Sequence, residues 1–189
     1  MTPRREATRD AGFTLIEVLV ALAVNSTMMA SLSTYFVSSI KASRDQMHIQ
    51  TAVRLAQAGM EQARGFGGAT LLANRKQCGT CMNVTGYDMG YLSGTLRWDA
   101  KVTGGTPAVP YDDQPETIIQ NGITYYRYWF VGKCWQKATG GLCTTTVAEV
   151  PMVRLVVGVV WLETACPATI CVRASTALFS ADPADPVFS

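Results

Sequence analysis

The feature that most constrains this chain is a long apolar segment close to its N-terminus. Residues 13–40 contain a single charged side chain, Glu17. A helix over these residues is about 42 Å long at 1.5 Å per residue, which exceeds the roughly 30 Å of a bilayer's hydrocarbon core. The segment therefore predicts one membrane-spanning helix, with the rest of the chain folding outside the bilayer.

The residues on either side of this segment predict its orientation. Arg4, Arg5 and Arg9 precede it, and because flanking arginines favour the cytoplasmic side, the residues after position 40 are predicted to be exported. All six cysteines lie in that part of the chain: Cys78, Cys81, Cys134, Cys143, Cys166 and Cys171. An even number of cysteines in an exported region is typical of a disulfide framework.

Two simple interpretations of the segment conflict with its details. A secretory signal peptide is cut after its apolar run, whereas Gly12 lies before this one and the run is too long. An ordinary signal anchor would not need Glu17, since a carboxylate at the bilayer centre costs about 2.5–3.5 kcal/mol and normally has a partner. Glu17 is therefore a candidate functional residue.

Residues 12–18, Gly-Phe-Thr-Leu-Ile-Glu-Val, resemble the processing site of type IV pilins and type II secretion pseudopilins. The resemblance implies that a prepilin peptidase and N-methyltransferase removes residues 1–12 after Gly12 and methylates the new N-terminus, Phe13. It also implies that the N-terminal helix binds other pilins and that Glu17 lies in the filament core. The protein would then reside in the inner membrane with a periplasmic head, and in an extracellular filament or its tip after assembly.

Physical chemistry gives Glu17 a role in such a filament. Cleavage after Gly12 creates an amine on Phe13, and a carboxylate of a neighbouring subunit would offset the desolvation of both groups. Because the pair forms at one axial stagger only, it would set the register of the subunits. The alternative is that Glu17 reaches the membrane surface and pairs with nothing.

The apolar segment departs from the common pilin pattern in its second half. Many pilins have a proline there, and this chain has none between residues 13 and 40. Asn25-Ser26-Thr27 interrupts the apolar run instead, and these side chains are predicted to hydrogen-bond to the helix backbone or to neighbouring helices.

Beyond the span the sequence predicts an α+β head. Residues 41–65 have an amphipathic helical pattern that stops at the glycines 65, 67 and 68, and residues 66–93 are predicted to form a loop. Strands are predicted over residues 95–102, 123–133, 153–163 and 172–179, the last two as a hairpin. The predicted organisation is a leader over 1–12, a membrane helix over 13–40, an amphipathic helix over 41–65 and a head over 66–189. The long helix would pack on an antiparallel sheet in a disulfide-bonded, pilin-like roll.

The cysteines allow three interpretations. Local disulfides are the simplest, pairing Cys166 with Cys171 and each remaining cysteine with its nearest neighbour. A redox Cys78-x-x-Cys81 motif would need a βαβ setting that the sequence does not predict. A zinc site from these two and two later cysteines lacks a second CxxC.

Nothing in the sequence indicates an enzyme. His48 is the only histidine, and there is no Ser/His/Asp array and no phosphate-binding loop, so we expect no catalytic residue, metal or cofactor. Asp112, Asp113 and Glu116 could offer oxygens to calcium, but their spacing fits no standard loop. The aromatic run over residues 125–130 predicts one core face and one solvated face of a strand. A net charge of +2 does not predict a nucleic-acid partner and leaves one open.

The end of the helix and one late strand resemble PilV-type minor pilins and related minor pseudopilins. The relevant residues are Ala52-Val53-Arg54-Leu55-Ala56, Met60-Glu61, Arg64 and Val159-Val160-Trp161. The resemblance implies a minor pilin that enters a type IV pilus or primes its assembly, in adhesion, twitching motility or DNA uptake. A minor pseudopilin of a type II secretion system is the alternative in the same class. A membrane-anchored periplasmic binding or thiol-redox protein is the alternative in another class.

The processing site is testable by intact-mass measurement of protein extracted from membranes. We expect a chain that begins at N-methylated Phe13, because Gly12 directly precedes an apolar span that carries Glu17. A retained leader, or cleavage after the apolar run, would contradict the pilin-like interpretation.

Overall fold

The longest element of the structure is helix α1, which covers Leu15–Arg64 and has 50 residues. The structure is a computed structural model that describes residues 14–79 and 86–182. Helix α1 runs through the apolar span and the amphipathic segment and ends directly before Gly65, as the sequence predicts. The chain divides into two units, with the boundary between Gln46 and Met47.

In the first unit, helix α1 is apolar and exposed over most of its length. Every residue from Leu15 to Ile40 is exposed, including large apolar side chains such as Leu19, Leu32 and Phe36. By length and composition α1 could cross a membrane. No other helix in the described part of the chain is long and apolar enough to do so. An apolar surface that extends around a whole helix is expected where lipid or other helices cover it.

In the second unit, one stripe of α1 is buried. Its buried residues follow spacings of three and one: Ala52, Leu55, Ala56, Gly59, Met60 and Ala63. These small and flexible side chains let the helix approach closely to its neighbour. A short second helix, α2, covers Gly67–Leu72 and buries Leu71.

An antiparallel sheet supplies the other layer. Its strands lie in the order β2-β5-β6-β7, with β4 also paired to β5, and β1 pairs with β3 in a separate two-stranded sheet. The strands are β1 Arg75–Lys76, β2 Leu96–Arg97, β3 Ala100–Lys101, β4 Glu116–Gln120, β5 Ile123–Gln136, β6 Val150–Leu162 and β7 Ile170–Ser180. A 3₁₀ turn over Pro167–Thr169 lies in the connection between β6 and β7.

The main core lies between the buried stripe of α1 and the sheet. Trp129, Val157 and Trp161 are buried there together with Ala52 and Met60. The residues of β5 and β6 that take part have odd numbers, since alternate side chains of a strand point to the same face. The architecture confirms the predicted α+β class, with a long helix packed on an antiparallel sheet.

The second face of the sheet differs from the prediction, which left it solvated. Phe130 and Val156 are fully buried there with Leu92, and Tyr128 packs against them. The segment that follows residue 85 lies directly on this face: a Cβ on Gly158 would collide with the carbonyl oxygen of Tyr87. Residues that the sequence assigns to a loop thus act as a third layer.

The smaller strands and one helix also differ from the prediction. The predicted strand over 95–102 is two short strands, β2 and β3, because Trp98 and Asp99 between them leave the ladder and Asp99 is buried. Helix α2 and strand β1 lie within the predicted loop, and the five-residue edge strand β4 was not predicted. The hairpin of β6 and β7 is confirmed: β6 begins three residues before its predicted start and ends one residue before its predicted end, and β7 is longer than predicted at both ends.

Two disulfides join pairs of described residues in the second unit. One joins Cys134 to Cys143 and the other joins Cys166 to Cys171, which are the local pairs that the sequence predicts. The second bridge closes the turn of the β6–β7 hairpin. Cys78 is also disulfide-bonded, while Cys81 lies outside the described residues.

Gly59 provides a test of the contact between helix and sheet. A Cβ at this position would lie 2.9 Å from Val157 Cγ1 and 3.1 Å from Trp129 Cη2. We expect Gly59→Ala to lower the free energy of unfolding by about 1–3 kcal/mol because it overpacks the core, although alanine is the better helix former.

The measurement is urea unfolding of the detergent-solubilised chain followed by tryptophan fluorescence, since all four tryptophans lie in the head. Gln57→Ala, at an exposed position of the same helix, is the control and should change stability by less than about 0.5 kcal/mol. A Gly59→Ala protein as stable as the wild type would contradict the packing described.

Candidate functional site

Thr14 and Glu17 form a capping box at the start of helix α1. The backbone N–H and the Oγ1 hydroxyl of Thr14 each donate to Glu17 Oε2 at 3.0 Å. In return, the Glu17 N–H points to Thr14 Oγ1 at 3.4 Å. This reciprocal arrangement satisfies backbone donors that a helix N-terminus otherwise leaves unpaired. The spacing Thr-x-x-Glu, which signals such a box, is present in the sequence but the prediction did not use it.

The predicted processing site and assembly residue are adjacent in sequence, and only part of them is described. Gly12 and Phe13 lie outside the described residues, so cleavage between them stays a prediction. Glu17 is exposed, and its contacts among the described residues are those with Thr14. The carboxylate is therefore accessible to a group from another subunit, at the helix end where a cleaved N-terminus would lie.

The hydroxyls of the apolar span bond to their own helix. Ser26 donates to the Leu22 carbonyl at 2.7 Å and Thr27 to the Val24 carbonyl at 2.8 Å. Ser31, Ser33 and Thr34 make the same kind of bond one turn back. This agrees with the first of the two predicted roles for the polar residues in the span.

Cysteine chemistry other than disulfides is not supported by the described residues. The four cysteines from Cys134 onward are consumed in two bridges, so they offer no thiolates for the zinc site considered above. Among the described residues there is also no group of three or more His, Cys, Asp or Glu side chains that could hold a metal ion.

The acidic residues considered for calcium face basic side chains instead. Asp113 pairs with Lys101 at 2.8 Å, and Glu116 pairs with Arg127. Asp112 is buried, and its burial raises the pKa of its carboxyl, with Asp113 adding to the rise. The arrangement cross-links loops and strands of the head.

A buried ion pair organises the side of the head that holds β1 and β3. Arg75 Nη1 donates to Asp99 Oδ1 at 2.7 Å, and both side chains are fully buried. Arg75 also donates to the Val109 and Pro110 carbonyls, and Asp99 accepts the Val131 N–H. Burial raises the pKa of Asp99 to about 7, against the opposing effect of Arg75. No periodic pattern in the sequence indicates this pair, because its partners come from four separate segments.

A second polar contact ties helix α1 to the hairpin turn. His48 Nδ1 lies 2.9 Å from Glu163 Oε1, and Trp161 Nε1 donates to the other oxygen of the same carboxylate at 2.8 Å. Glu163 is next to the Cys166–Cys171 bridge in the β6–β7 connection. The single histidine therefore has a structural partner, which explains its position on the helix without a metal.

Comparison with known proteins locates the functional signal at the N-terminus. Residues 7–33 match the family model described as the prokaryotic N-terminal methylation motif. No curated protein and no solved structure matches the chain.

The chain carries a pilin-type methylation motif. The match supports a type IV pilin-like family, whose members are structural proteins rather than enzymes. Such a motif implies processing by the prepilin peptidase and association with other pilins, and together with the long apolar helix it indicates membrane anchoring. The matched region, residues 7–33, includes Thr14 and Glu17, so the capping box lies inside it.

The Arg75–Asp99 pair supplies a test of how the head is held together. Removing one partner of a buried pair leaves the other charge uncompensated, which costs about 3–5 kcal/mol. We therefore expect Arg75→Met to lower the free energy of unfolding by that amount. Arg75→Met with Asp99→Leu should recover only part of the loss, because the Val109 carbonyl and the Val131 N–H lose their side-chain partners.

Urea unfolding followed by tryptophan fluorescence measures both variants. The control is Arg64→Met, because Arg64 pairs with Glu61 at the surface and an exposed pair contributes about 1 kcal/mol or less. Equal effects of Arg75→Met and Arg64→Met would contradict the role assigned to the buried pair.

Proposed function

We propose that this chain is a minor pilin, a structural subunit that enters a type IV pilus or primes its assembly. The observation that carries the proposal is an exposed carboxylate, Glu17, at the N-terminal end of a helix with no other charge up to Ile40. Its position inside the methylation motif ties it to the predicted N-terminus at Phe13.

The capping box gives Glu17 a function before assembly. In the isolated chain the carboxylate is stabilised by the Thr14 N–H and hydroxyl, which reduces the cost of a charge at the start of a membrane helix. In a filament the amine of a neighbouring Phe13 would approach this carboxylate and satisfy its remaining lone pairs. The same side chain thus serves the free subunit and the assembled one.

The structure of the head supports the role of a minor pilin over that of a major pilin, the repeated subunit of a filament. It is irregular, with disulfide-closed loops after Cys134 and Cys166 and a separate two-stranded sheet. The disulfides fit a periplasmic head before assembly and an extracellular one afterwards. Adhesion, twitching motility and DNA uptake are the processes such a subunit would serve.

A minor pseudopilin of a type II secretion system is the second candidate, since the methylation motif serves both systems. A deletion strain that loses protein secretion but keeps its pili would favour that candidate. Loss of pili with secretion intact would favour the minor pilin.

Substitutions of Glu17 test the proposal and separate its two contacts. Glutamine can still complete a capping box but carries no charge, whereas alanine removes both. If pairing with the neighbouring amine drives assembly, Glu17→Gln and Glu17→Ala should both reduce the protein in sheared pili by about a hundredfold or more, because an unpaired buried charge costs about 3–5 kcal/mol. Leader removal and folding of the head should be unchanged.

Glu61→Gln is the control, since Glu61 is an exposed acid on the same helix that contacts Arg64. It should enter filaments at the wild-type level. If Glu17→Gln is incorporated like wild type while Glu17→Ala is not, only the helix cap matters. If both are incorporated normally, the helix is simply an anchor.

A further inference from the structure

Asn25 differs from the other polar residues in the part of the apolar span up to Thr34. Between Leu15 and Thr34, the hydroxyls of Ser and Thr bond to carbonyls of their own helix, and Glu17 bonds to Thr14. The Asn25 carboxamide makes no hydrogen bond to any described residue. In hydrocarbon an amide without a partner costs several kcal/mol, so Asn25 needs a partner from outside its own helix.

Asn25 lies on a defined face of helix α1. It lines a shallow groove with Glu17, Val18, Ala21 and Leu22. The residues Val18, Ala21, Asn25, Met28 and Leu32 recur at spacings of three and four, which is the pattern of the contact seam between two paired helices. Asn25 occupies the first position of one such repeat, where a single buried asparagine specifies the register and the number of helices.

We propose that Asn25 pairs two copies of this chain in the membrane, as parallel helices in register with their carboxamides hydrogen-bonded to each other. Every copy is inserted in the same direction and to the same depth, so Asn25 of one copy meets Asn25 of another at the same level. A carboxamide has both donors and an acceptor, and two of them are complementary. The occupant of this groove is therefore a second copy.

The pairing rests on the membrane placement of α1 and not on the minor-pilin role. It also differs from the filament contact proposed for Glu17. The Asn25 pair requires two helices without axial offset, whereas a Glu17 carboxylate reaches the N-terminus of a neighbour only if that neighbour is displaced along the axis. The Asn25 pair would thus form between subunits in the membrane. The same two copies would have to move relative to each other along the helix axis before they enter a filament.

Cysteine cross-linking in membranes tests the proposal with two matched alanines. Ala21 lies on the Asn25 face, and Ala23 lies on the opposite side of the helix, since two residues turn a helix by about 200°. The span contains no cysteine of its own, and the described cysteines of the head are all disulfide-bonded. The full-length chain would be expressed in a bacterial host without pilus genes and oxidised with copper phenanthroline.

We expect Ala21→Cys to form disulfide-linked dimers and Ala23→Cys to form few. Adding Asn25→Leu to Ala21→Cys should lower the dimer fraction about three- to tenfold, the range expected for a hydrogen bond between membrane helices. Asn25→Gln, which keeps a carboxamide, should retain more dimer than Asn25→Leu. Ser26→Ala should change nothing, because the Ser26 hydroxyl bonds to its own helix.

Equal cross-linking at both alanines would overturn the proposal, as would dimers at Ala21→Cys that persist unchanged with Asn25→Leu. Dimers driven by the head would give one of those results. Because the host makes no filaments, the outcome does not depend on pilus assembly, and failure of the Glu17 experiment leaves this one intact. The amount of membrane-inserted monomer is measured alongside, so that a lower yield is not mistaken for a lower dimer fraction.

Discussion

The second unit depends on the contact between one stripe of helix α1 and the central strands β5 and β6. Small residues of the helix, Gly59 and Ala63 among them, are fully covered by a sheet whose facing side chains are large, such as Trp129 and Trp161. Burying apolar surface at about 25 cal/mol per Å² is the dominant favourable contribution in such a layer. The helix and the sheet can approach closely because Gly59 has no side chain. The remaining elements of the second unit are arranged around this contact.

Polar groups in the two units are removed from water in different ways. In the head, water is excluded by protein, and the buried side chains of Arg75, Asp99 and Arg127 each have an ionic partner and a backbone hydrogen-bond partner from another segment. In the span, water is excluded by lipid, and the helix satisfies most of its own polar groups through Thr14 and the back-bonded hydroxyls. Glu17 and Asn25 keep hydrogen-bonding capacity that their own helix does not use, and the contacts proposed above with other subunits depend on it.

The two contacts require different relative positions of neighbouring helices. A carboxylate that meets an N-terminus favours an axial displacement, whereas paired asparagines favour equal depth. A subunit that makes both contacts would have one helix arrangement in the membrane and another in a filament. Changing between the two would leave a polar group unpaired in hydrocarbon, which costs free energy.

The sequence by itself determined the extent of helix α1, the processing motif, the α+β class, the β6–β7 hairpin and its disulfide, because each depends on local order: an apolar run, a short motif, or two strands separated by a turn. Only the tertiary structure decided that the second face of the sheet is covered after residue 85, that Asp99 interrupts a predicted strand, and that His48 bonds to Glu163. Those features join segments far apart in the chain, and their energy comes from the exclusion of water at a particular place in the fold. Periodicity and composition do not predict which distant groups come into contact there.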